Sequence, residues 1–367
     1  MSKDSHSKDL SSPSRLRLPR EFTQLERSAF SLRVGLRAGI FVSAPLLLGL
    51  ITGQKGLVYS TLGAWFVTNA AGPRTAPTPL KLVFVACFTQ ALAFGLGTLA
   101  GTTGILSIAL MGIGVFVVML FGTSPRWAPV SAFTAIFFAI GVGLPGGSIS
   151  DAGQRFFFAL FGSFWGFLGM GLRSYFTARR KSLGREVVSS LADNLTEERI
   201  AKLMSMMERS EALRQSVTVG VASAIGLSVG LLLGLPRDFW IVVTIILALR
   251  PTIPSTIKFS SMIVAGTLVG ALIAASVTFV VTNDYLLWIF LLLFSIVFYA
   301  TRGMNLGLSQ VFMTPFIIAL LNILFPGQWE LAGVRILDVA IGGAVAVLAA
   351  LIIQNRQLAY HKKQVRK

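Results

Sequence analysis

The sequence predicts an all-helical membrane protein with twelve transmembrane helices, arranged as two parallel repeats of six helices each. Three observations lead to this prediction. Apolar residues make up 54% of the 367-residue chain and charged residues only 13%, about half the charged fraction of a soluble domain. The apolar residues fall into twelve runs, and spacings in the first half of the chain recur in the second. These features exclude a typical soluble enzyme.

The charge distribution indicates a membrane protein. On a soluble protein, the formal net charge of +17 would favour a nucleic-acid partner. Here the Lys and Arg residues lie at the ends of the apolar runs and in two polar tails, as membrane orientation requires. The expected partner is therefore the lipid bilayer and not a nucleic acid. His6 and His361 lie in the tails and Cys87 in an apolar run, so we expect no metal site and no cofactor.

The first half of the chain consists of a tail and six apolar runs. Residues 1–30 are basic and Ser-rich, which predicts a disordered cytoplasmic tail. The first six-helix membrane repeat is predicted over residues 31–173. Its runs lie at 34–51, 57–72, 81–99, 104–122, 128–144 and 155–172. Most of them approach the ~20 residues that a helix needs to cross a bilayer.

The second half follows a charged, amphipathic segment. Residues 174–213 predict a cytoplasmic helical linker, and residues 214–355 the second six-helix membrane repeat. Its runs lie at 215–234, 238–250, 259–281, 285–301, 306–325 and 335–354. Residues 356–367 form a second basic tail. An even number of spans in each half places both tails and the linker on the same side of the membrane.

Counting Lys and Arg on alternate sides of the twelve spans predicts the orientation. With the N-terminus in the cytoplasm, 28 of the 32 basic residues fall on the cytoplasmic side. The outer side holds only Lys55, Arg155, Arg237 and Arg335. A missed or invented span would scramble this alternation, so the skew supports a multi-pass protein of the bacterial inner membrane with both termini in the cytoplasm.

The two halves share residues at a nearly constant spacing. Gly53 and Tyr59 lie 181 residues before Gly234 and Trp240. The repeated positions also include Leu144-Pro145-Gly146 with Phe325-Pro326-Gly327, Arg155 with Arg335, and Gly162 with Gly342. A constant spacing over this distance indicates duplication. Because each unit has an even number of spans, the two repeats are predicted to be parallel.

Two short, interrupted spans predict a substrate site. The run at 238–250 is too short for a full crossing and ends in Pro251 and Pro254, and the run at 57–72 ends in a similar turn. Such paired interruptions point to binding sites in transporters. We predict that a polar vestibule binds the carboxylate of a substrate through a cation. Its predicted members are Asn69, Arg74, Thr75, Arg250, Thr252, Ser255 and Thr256. The alternative is that the basic residues only anchor helix ends.

Trp240 and four charged residues are further candidates. Trp240 lies beside the interrupted span and could stack on an aromatic substrate or belong to an interfacial belt. Arg335 and Asp338 are three residues apart on one helix face and can pair. Asp338 could carry a proton or gate the outer mouth, or the two could form a structural ion pair, which the sequence slightly favours. Asp238 and Arg155 join them as candidates for coupling or gating, and Arg155 lacks an acid at i+3.

The motifs around these residues resemble the fusaric acid resistance and aromatic acid exporter family. They are Asp238-Phe239-Trp240, Leu249-Arg250-Pro251-Thr252, Ser255-Thr256, Ala265-Gly266-Thr267-Leu268-Val269-Gly270 and Arg335 to Gly343 with Asp338 and Gly342 inside it. The match covers residues 217–350 well and 34–172 less well, where Phe158 stands in place of the acid. Large family members carry a cytoplasmic domain after each membrane half, and this chain has the short linker instead.

The resemblance implies efflux of small aromatic or related organic carboxylates. The sequence contains no phosphate-binding loop of the G-x-x-x-x-G-K-[ST] type, which favours coupling to the proton gradient, and no enzyme activity is expected. Two alternatives stay open, an uncoupled organic-anion channel and a membrane subunit of a multi-component efflux system. A periplasmic adaptor, an outer-membrane channel and a homo-oligomer are partners that the sequence neither requires nor excludes.

Overall fold

The computed structural model describes residues 27–71, 79–122, 127–182, 195–327 and 330–365, and these residues form helices and no strand. Six α-helices lie in the first half: α1 (Leu32–Thr52), α2 (Leu57–Ala70), α3 (Leu80–Ala100), α4 (Leu106–Phe121), α5 (Ala128–Gly143) and α6 (Ile149–Ser182). Six lie in the second: α7 (Leu195–Leu232), α8 (Phe239–Ala248), α9 (Ile253–Val280), α10 (Asp284–Thr301), α11 (Leu306–Leu324) and α12 (Leu331–Val365). Arg27–Ala29 and Gly101–Thr103 form short 3-10 helices.

Seven of these helices are long and apolar enough to cross a membrane. They are α1, α3, α9, α10, α11 and the apolar parts of α7 and α12. Helices α4, α5 and α8 are apolar but shorter, and α8 has only 10 residues. The chain is therefore an all-helical multi-pass membrane protein, whereas a crossing by all twelve helices stays a prediction.

Several helix ends differ from the predicted spans. Helix α9 begins at Ile253, six residues before the predicted start at 259, because Thr252 caps it and Pro254 fits its first turn. Helices α6 and α7 extend well into the predicted linker, since α6 ends at Ser182 and α7 begins at Leu195. Within the described ranges, the segment 174–213 is thus continuous with the two membrane helices.

The outer surface of the bundle is apolar. Leu48, Leu92, Ile113, Phe157 and Leu272 are all exposed and lie on five different helices. A soluble monomer rarely exposes so much apolar surface, but a bilayer requires it. Buried polar side chains such as Gln90, Thr267 and Gln310 lie inside, where neighbouring helices shield them from lipid.

The same helix pairs pack together in both halves. Helix α1 packs on α2, α2 on α6, α3 on α5 and α6, and α4 on α5. Correspondingly, α7 packs on α8, α8 on α12, α9 on α11 and α12, and α10 on α11. The halves also contact each other reciprocally, since α1 packs on α10 and α4 packs on α7. Each half thus places its first helix against the fourth helix of the other half.

The turns at the predicted outer ends recur as well. Gly53 and Gly234 end α1 and α7 with φ of 70° and 62°, and Gly146 and Gly327 follow α5 and α11 with φ of 89° and 80°. Glycine adopts these left-handed conformations without steric cost. The equal spacing of the two pairs therefore reflects the same chain reversal in each half.

Helix α1 is tied to its neighbours at its internal proline. Pro45 lacks an N–H group, so the carbonyl of Phe41 loses its helical partner. The Trp165 indole of α6 donates a hydrogen bond of 2.9 Å to that carbonyl. The Trp288 indole of α10 donates to the Ser43 carbonyl at 3.0 Å. These two bonds join the first helix to helices from both halves.

Candidate functional site

The interruption between α8 and α9 is closed by hydroxyl side chains. Thr252 caps α9, because its Oγ1 accepts a hydrogen bond from the Ser255 N–H at 3.4 Å. The Thr256 hydroxyl is fully buried and accepts from the Arg250 N–H at 3.0 Å. Its Oγ1 also lies 3.0 Å from the Thr252 carbonyl oxygen. The hydroxyls of Thr252 and Thr256 thus supply the partners that a broken helix needs inside a membrane.

The Arg250 guanidinium, in contrast, forms no hydrogen bond or ion pair with a described residue. It stacks on Phe259, with its Cζ atom 4.3 Å from the ring centroid, and it is half-buried. Its N–H donors therefore remain able to bind an anion such as a carboxylate.

Asn69 lies in a different hydrogen-bond network. Its Nδ2 donates to the Trp65 carbonyl at 2.7 Å and to the Tyr299 hydroxyl at 3.3 Å. Arg302 donates to the Asn69 carbonyl at 2.8 Å. The predicted grouping of Asn69 with the Arg250 turn is therefore not seen in its contacts, which instead tie the end of α2 to α10. Arg74 and Thr75 lie outside the described residues.

Away from this interruption, near the starts of α8 and α12, Trp240 and Arg335 form a buried pair. The Arg335 Cζ atom lies 3.9 Å from the Trp240 ring centroid, and both side chains are buried. An indole face attracts a guanidinium in this geometry. Trp240 therefore faces a cation inside the protein, and its burial does not fit the belt of lipid-facing tryptophans.

Arg335 and Asp338, which the sequence offered as a possible ion pair, interact electrostatically but form no direct salt bridge or hydrogen bond in the part of the chain that the structure describes. The Nε and Nη1 atoms of Arg335 and both carboxylate oxygens of Asp338 are buried and have no hydrogen-bond partner. Trp240 holds the guanidinium instead. Asp338 is fully buried, and it lies within electrostatic range of both Arg335 and Asp238. An unpartnered buried carboxyl group is costly, and such groups mark functional positions in membrane proteins.

Arg155, the counterpart of Arg335 in the first half, is fully engaged. Its Nη1 donates to the Thr98 hydroxyl at 3.0 Å, and its Nη2 donates to the Pro145 carbonyl. Its Cζ atom lies 5.7 Å from the Tyr59 ring centroid. Tyr59 and Trp240 occupy repeated positions, so each half stacks an arginine on an aromatic ring. Unlike Arg155, Arg335 has buried Nε and Nη1 atoms that find no acceptor among the described residues.

Two cavities lie near the Arg335–Trp240 pair, and both are lined by Arg237 and Val334. The larger has a volume of about 550 Å³ and opens between the ends of α5 and α11 and the starts of α8 and α12. Its polar lining includes Arg237 and Glu330. The smaller is lined by Arg237, Trp240 and Arg335 among apolar residues of α11 and α12. Asp238, which follows Arg237, is buried.

Sequence reasoning did not select Arg237 as a site residue. It contacts both cavities, and its Cζ atom lies 4.2 Å from the Phe325 ring centroid. The available signal was a difference between the repeats, since Arg237 stands where the first half has Gly56. Among the described residues, no three His, Cys, Asp or Glu side chains converge to hold a metal ion.

The comparisons with known proteins confirm the family resemblance. A family described as "Fusaric acid resistance protein-like" matches residues 217–349, which run from within α7 to within α12. The chain is also similar to the inner membrane protein YccS of Escherichia coli (strain K12), with 26% identity over 144 residues. That alignment covers 39% of this chain and 20% of YccS, so the chain spans only about a fifth of the relative's length. No solved structure matches the chain.

Proposed function

We propose that this protein is a transporter of the bacterial inner membrane that exports small aromatic or related organic carboxylates. The observation that carries the proposal is the cavity of about 550 Å³ lined by Arg237, next to the buried Arg335–Trp240 pair. A guanidinium is complementary to a carboxylate, and aromatic faces are complementary to a planar ring. The similarity to a fusaric acid resistance family supports the same substrate class.

Twelve spans in two parallel repeats are part of this proposal. The helix packing is the same in both halves, including the reciprocal contacts of α1 with α10 and of α4 with α7. Two pairs of left-handed glycines recur at the same spacing. Short helices such as α8 are compatible with a crossing if protein surrounds the backbone that follows them, and the hydroxyl groups of Thr252 and Thr256 satisfy that backbone.

Arg250 and Arg237 mark the two ends of the proposed path. Arg250 lies on the predicted cytoplasmic side and offers unused donors to a carboxylate arriving from the cell interior. Arg237 lies at the opposite end of α8, beside the larger cavity. Helix α8 between them has 10 residues and spans roughly 15 Å at 1.5 Å per residue, so a substrate would travel only a short distance from one arginine to the other.

Asp338 is the proposed site of proton coupling. Its carboxyl group has no hydrogen-bond partner among the described residues, and it lies within electrostatic range of Arg335 and Asp238. A neighbouring cation favours the ionised acid and a neighbouring anion favours the protonated one. Movement of a substrate carboxylate near Arg335 would change this balance, and the acid would then bind or release a proton.

Reconstituted protein in sealed liposomes tests the function. We expect an imposed pH gradient to drive labelled benzoate against its concentration gradient, and a protonophore to abolish this transport. Benzamide has the same ring without the charge and should not be transported. Benzoate flux that follows only its own gradient and the voltage would identify an anion channel instead. No flux of any carboxylate would contradict the proposal.

A further inference from the structure

Arg237 has an unusual backbone conformation at the base of the larger cavity. Its φ is 69°, and it is the one residue other than glycine with a positive φ in the part of the chain that the structure describes. Non-glycine residues adopt this conformation at an energetic cost, and such positions cluster at functional sites. The conformation places the guanidinium over Phe325 and against both cavities.

The equivalent place in the first half is filled. Gly56 stands 181 residues before Arg237, and Phe158 stands 180 residues before Asp338. A Cβ atom on Gly56 would overlap the Phe158 ring, so these two residues pack directly on each other. In the second half, Arg237 and Asp338 stand at the two matching positions, and Arg237 lines both cavities.

We propose that the larger outer cavity is a binding site for small organic monoanions, and that Arg237 is its anion-binding group. This inference deepens the proposed function, on which it rests for the substrate class, by assigning the site that a carboxylate occupies as it leaves. Phe325 stacks on Arg237, and Trp240 stacks on Arg335 and lines the smaller cavity. The cation of the site comes from the second half, because Phe158 packs in the matching place of the first, while Pro145 of the first half also lines the cavity.

The charges around the cavity favour a monoanion. Arg237 is half-buried, whereas Glu330 is exposed at the rim, so solvent and salt screen the Glu330 charge more strongly. The buried acids Asp238 and Asp338 lie deeper. They oppose entry of a second negative charge, which is why the cavity suits one carboxylate better than a dianion.

The test measures charge selectivity in the cavity with thiol reagents. Val334 lines both cavities, and Cys87 is the single native cysteine, so the parent protein carries Cys87→Ser and Val334→Cys. The probes are an anionic sulfonate and a cationic trimethylammonium methanethiosulfonate of similar size, added to purified protein. We expect the anionic reagent to react faster than the cationic one, after correction for their rates with a free thiol.

Variants assign this preference to Arg237. Arg237→Gln should reduce the ratio of the two rates about fivefold, because a unit charge ~8 Å from the thiol in water changes the anionic and the cationic rate roughly twofold each, in opposite directions. Arg237→Lys should retain most of it, and this variant answers the question if the glutamine variant does not fold. Lys55→Gln is the control, because it removes one exposed charge from the same predicted side. Equal rates in the parent, or a ratio unaffected by Arg237→Gln, would overturn the proposal.

Protection by a carboxylate tests the ligand class separately. Benzoate should slow modification of the parent at least twofold, and benzamide at the same concentration should not. The same slowing by both compounds, or by neither, would overturn the assignment of a carboxylate site. Charge preference and protection without any transport would leave this site standing and remove the proposed function. Transport without charge preference would support the proposed function and overturn the site at Arg237.

Discussion

The arginines on the predicted outer side differ in what their charges contact. Arg155 has two hydrogen bonds and an aromatic neighbour, which makes it a structural residue. Arg335 has the aromatic neighbour, but its Nε and Nη1 atoms have no acceptor. At these two matching positions the arginine stacks on an aromatic ring in both halves, and the buried Nε and Nη1 atoms of Arg335 lack acceptors of the kind that Arg155 has. A ligand that accepts hydrogen bonds could therefore bind the Arg335 guanidinium.

The first residue-scale prediction concerns Asp338. Because no hydrogen bond or ion pair holds its carboxylate, Asp338→Asn should change the free energy of unfolding by less than about 1 kcal/mol. Breaking a buried ion pair would instead cost ~3–5 kcal/mol. The amide cannot release a proton, so gradient-driven benzoate efflux should stop while benzoate exchange continues. Thermal unfolding in detergent and the two flux assays measure these effects.

The double variant Asp338→Asn with Arg335→Gln serves as the control for an unnoticed ion pair. If the single change destabilises the protein and the double change restores both folding and coupled transport, then the two residues form a pair in the membrane. Proton coupling would then have to be assigned to another residue.

The second prediction separates binding from structure at the interruption after α8. Arg250→Ala should abolish efflux at unchanged membrane abundance, and Arg250→Lys should retain part of it, since lysine keeps the charge but not the planar fork. Thr256→Val removes a buried hydroxyl that contacts the Arg250 N–H and the Thr252 carbonyl. It should lower stability by ~1–3 kcal/mol. Wild-type efflux by the Arg250→Ala variant would leave only the anchoring role.

Local sequence patterns predicted part of the site. They selected Trp240, Arg335 and Asp338, because an aromatic residue and charges near a broken span are visible along the chain. They could not show that the Arg335 guanidinium contacts the Trp240 ring rather than the Asp338 carboxylate, since this contact depends on how α8 packs against α12. The sequence did not identify Arg237 as a site residue for the same reason. Its guanidinium stacks on Phe325 of the turn after α11, a contact between segments distant in the chain.

At the level of helices, two repeated glycines set the closest approach between neighbours. Gly162 of α6 lies against the Ser60 carbonyl oxygen of α2. Gly342 of α12 lies against α8, where an added Cβ would be 2.6 Å from the Ile241 carbonyl oxygen. Small residues permit such contacts in membrane bundles. Both contacts join the last helix of a half to its shortest one, which brings α12 and its charges close to α8.

The third prediction uses these glycines and two controls on the same helices. Gly162→Ala and Gly342→Ala should each lower stability by ~1–3 kcal/mol, because the new methyl group forces the helices apart. Gly153 and Gly333 have no atom near an added Cβ. Alanine at these positions should leave stability unchanged or raise it by up to ~1 kcal/mol through helix propensity. Thermal unfolding of the four variants in one detergent measures the contrast, and equal effects would contradict the packing.

Hydropathy predicted the helices better than their ends. Each of the twelve apolar runs overlaps one helix, because a bilayer selects long apolar segments whatever their neighbours are. The starts of α6 and α9 were misplaced because helices continue past the apolar segment wherever caps and turns allow. Thr252 caps α9 from outside the apolar run, so hydropathy alone does not detect that start.

For the whole molecule, the two halves share their helix packing but differ in the residues at matching positions. The two halves interlock through α1 with α10 and α4 with α7, so neither half has a complete surface without the other. Residues that only pack can then fill the first copy, as Phe158 does against Gly56. The second half instead carries Arg237, Trp240, Arg335 and Asp338, and two cavities lie beside Arg237.

The fourth prediction concerns the orientation of this scaffold in the membrane. Tags at Lys181, near the end of α6, and after Lys367 should both report the cytoplasm, and a tag at Gly147 should report the outer side. The physical reason is that 28 of 32 basic residues fall on one side of a twelve-span arrangement, and positively charged loops resist translocation. Reporter fusions or thiol labelling of intact cells against broken cells measure each position. If Lys181 reported the outer side, the first half would contain an odd number of spans. The two halves would then be inverted rather than parallel, and the cavity beside Arg237 would open toward the cytoplasm as a site of entry.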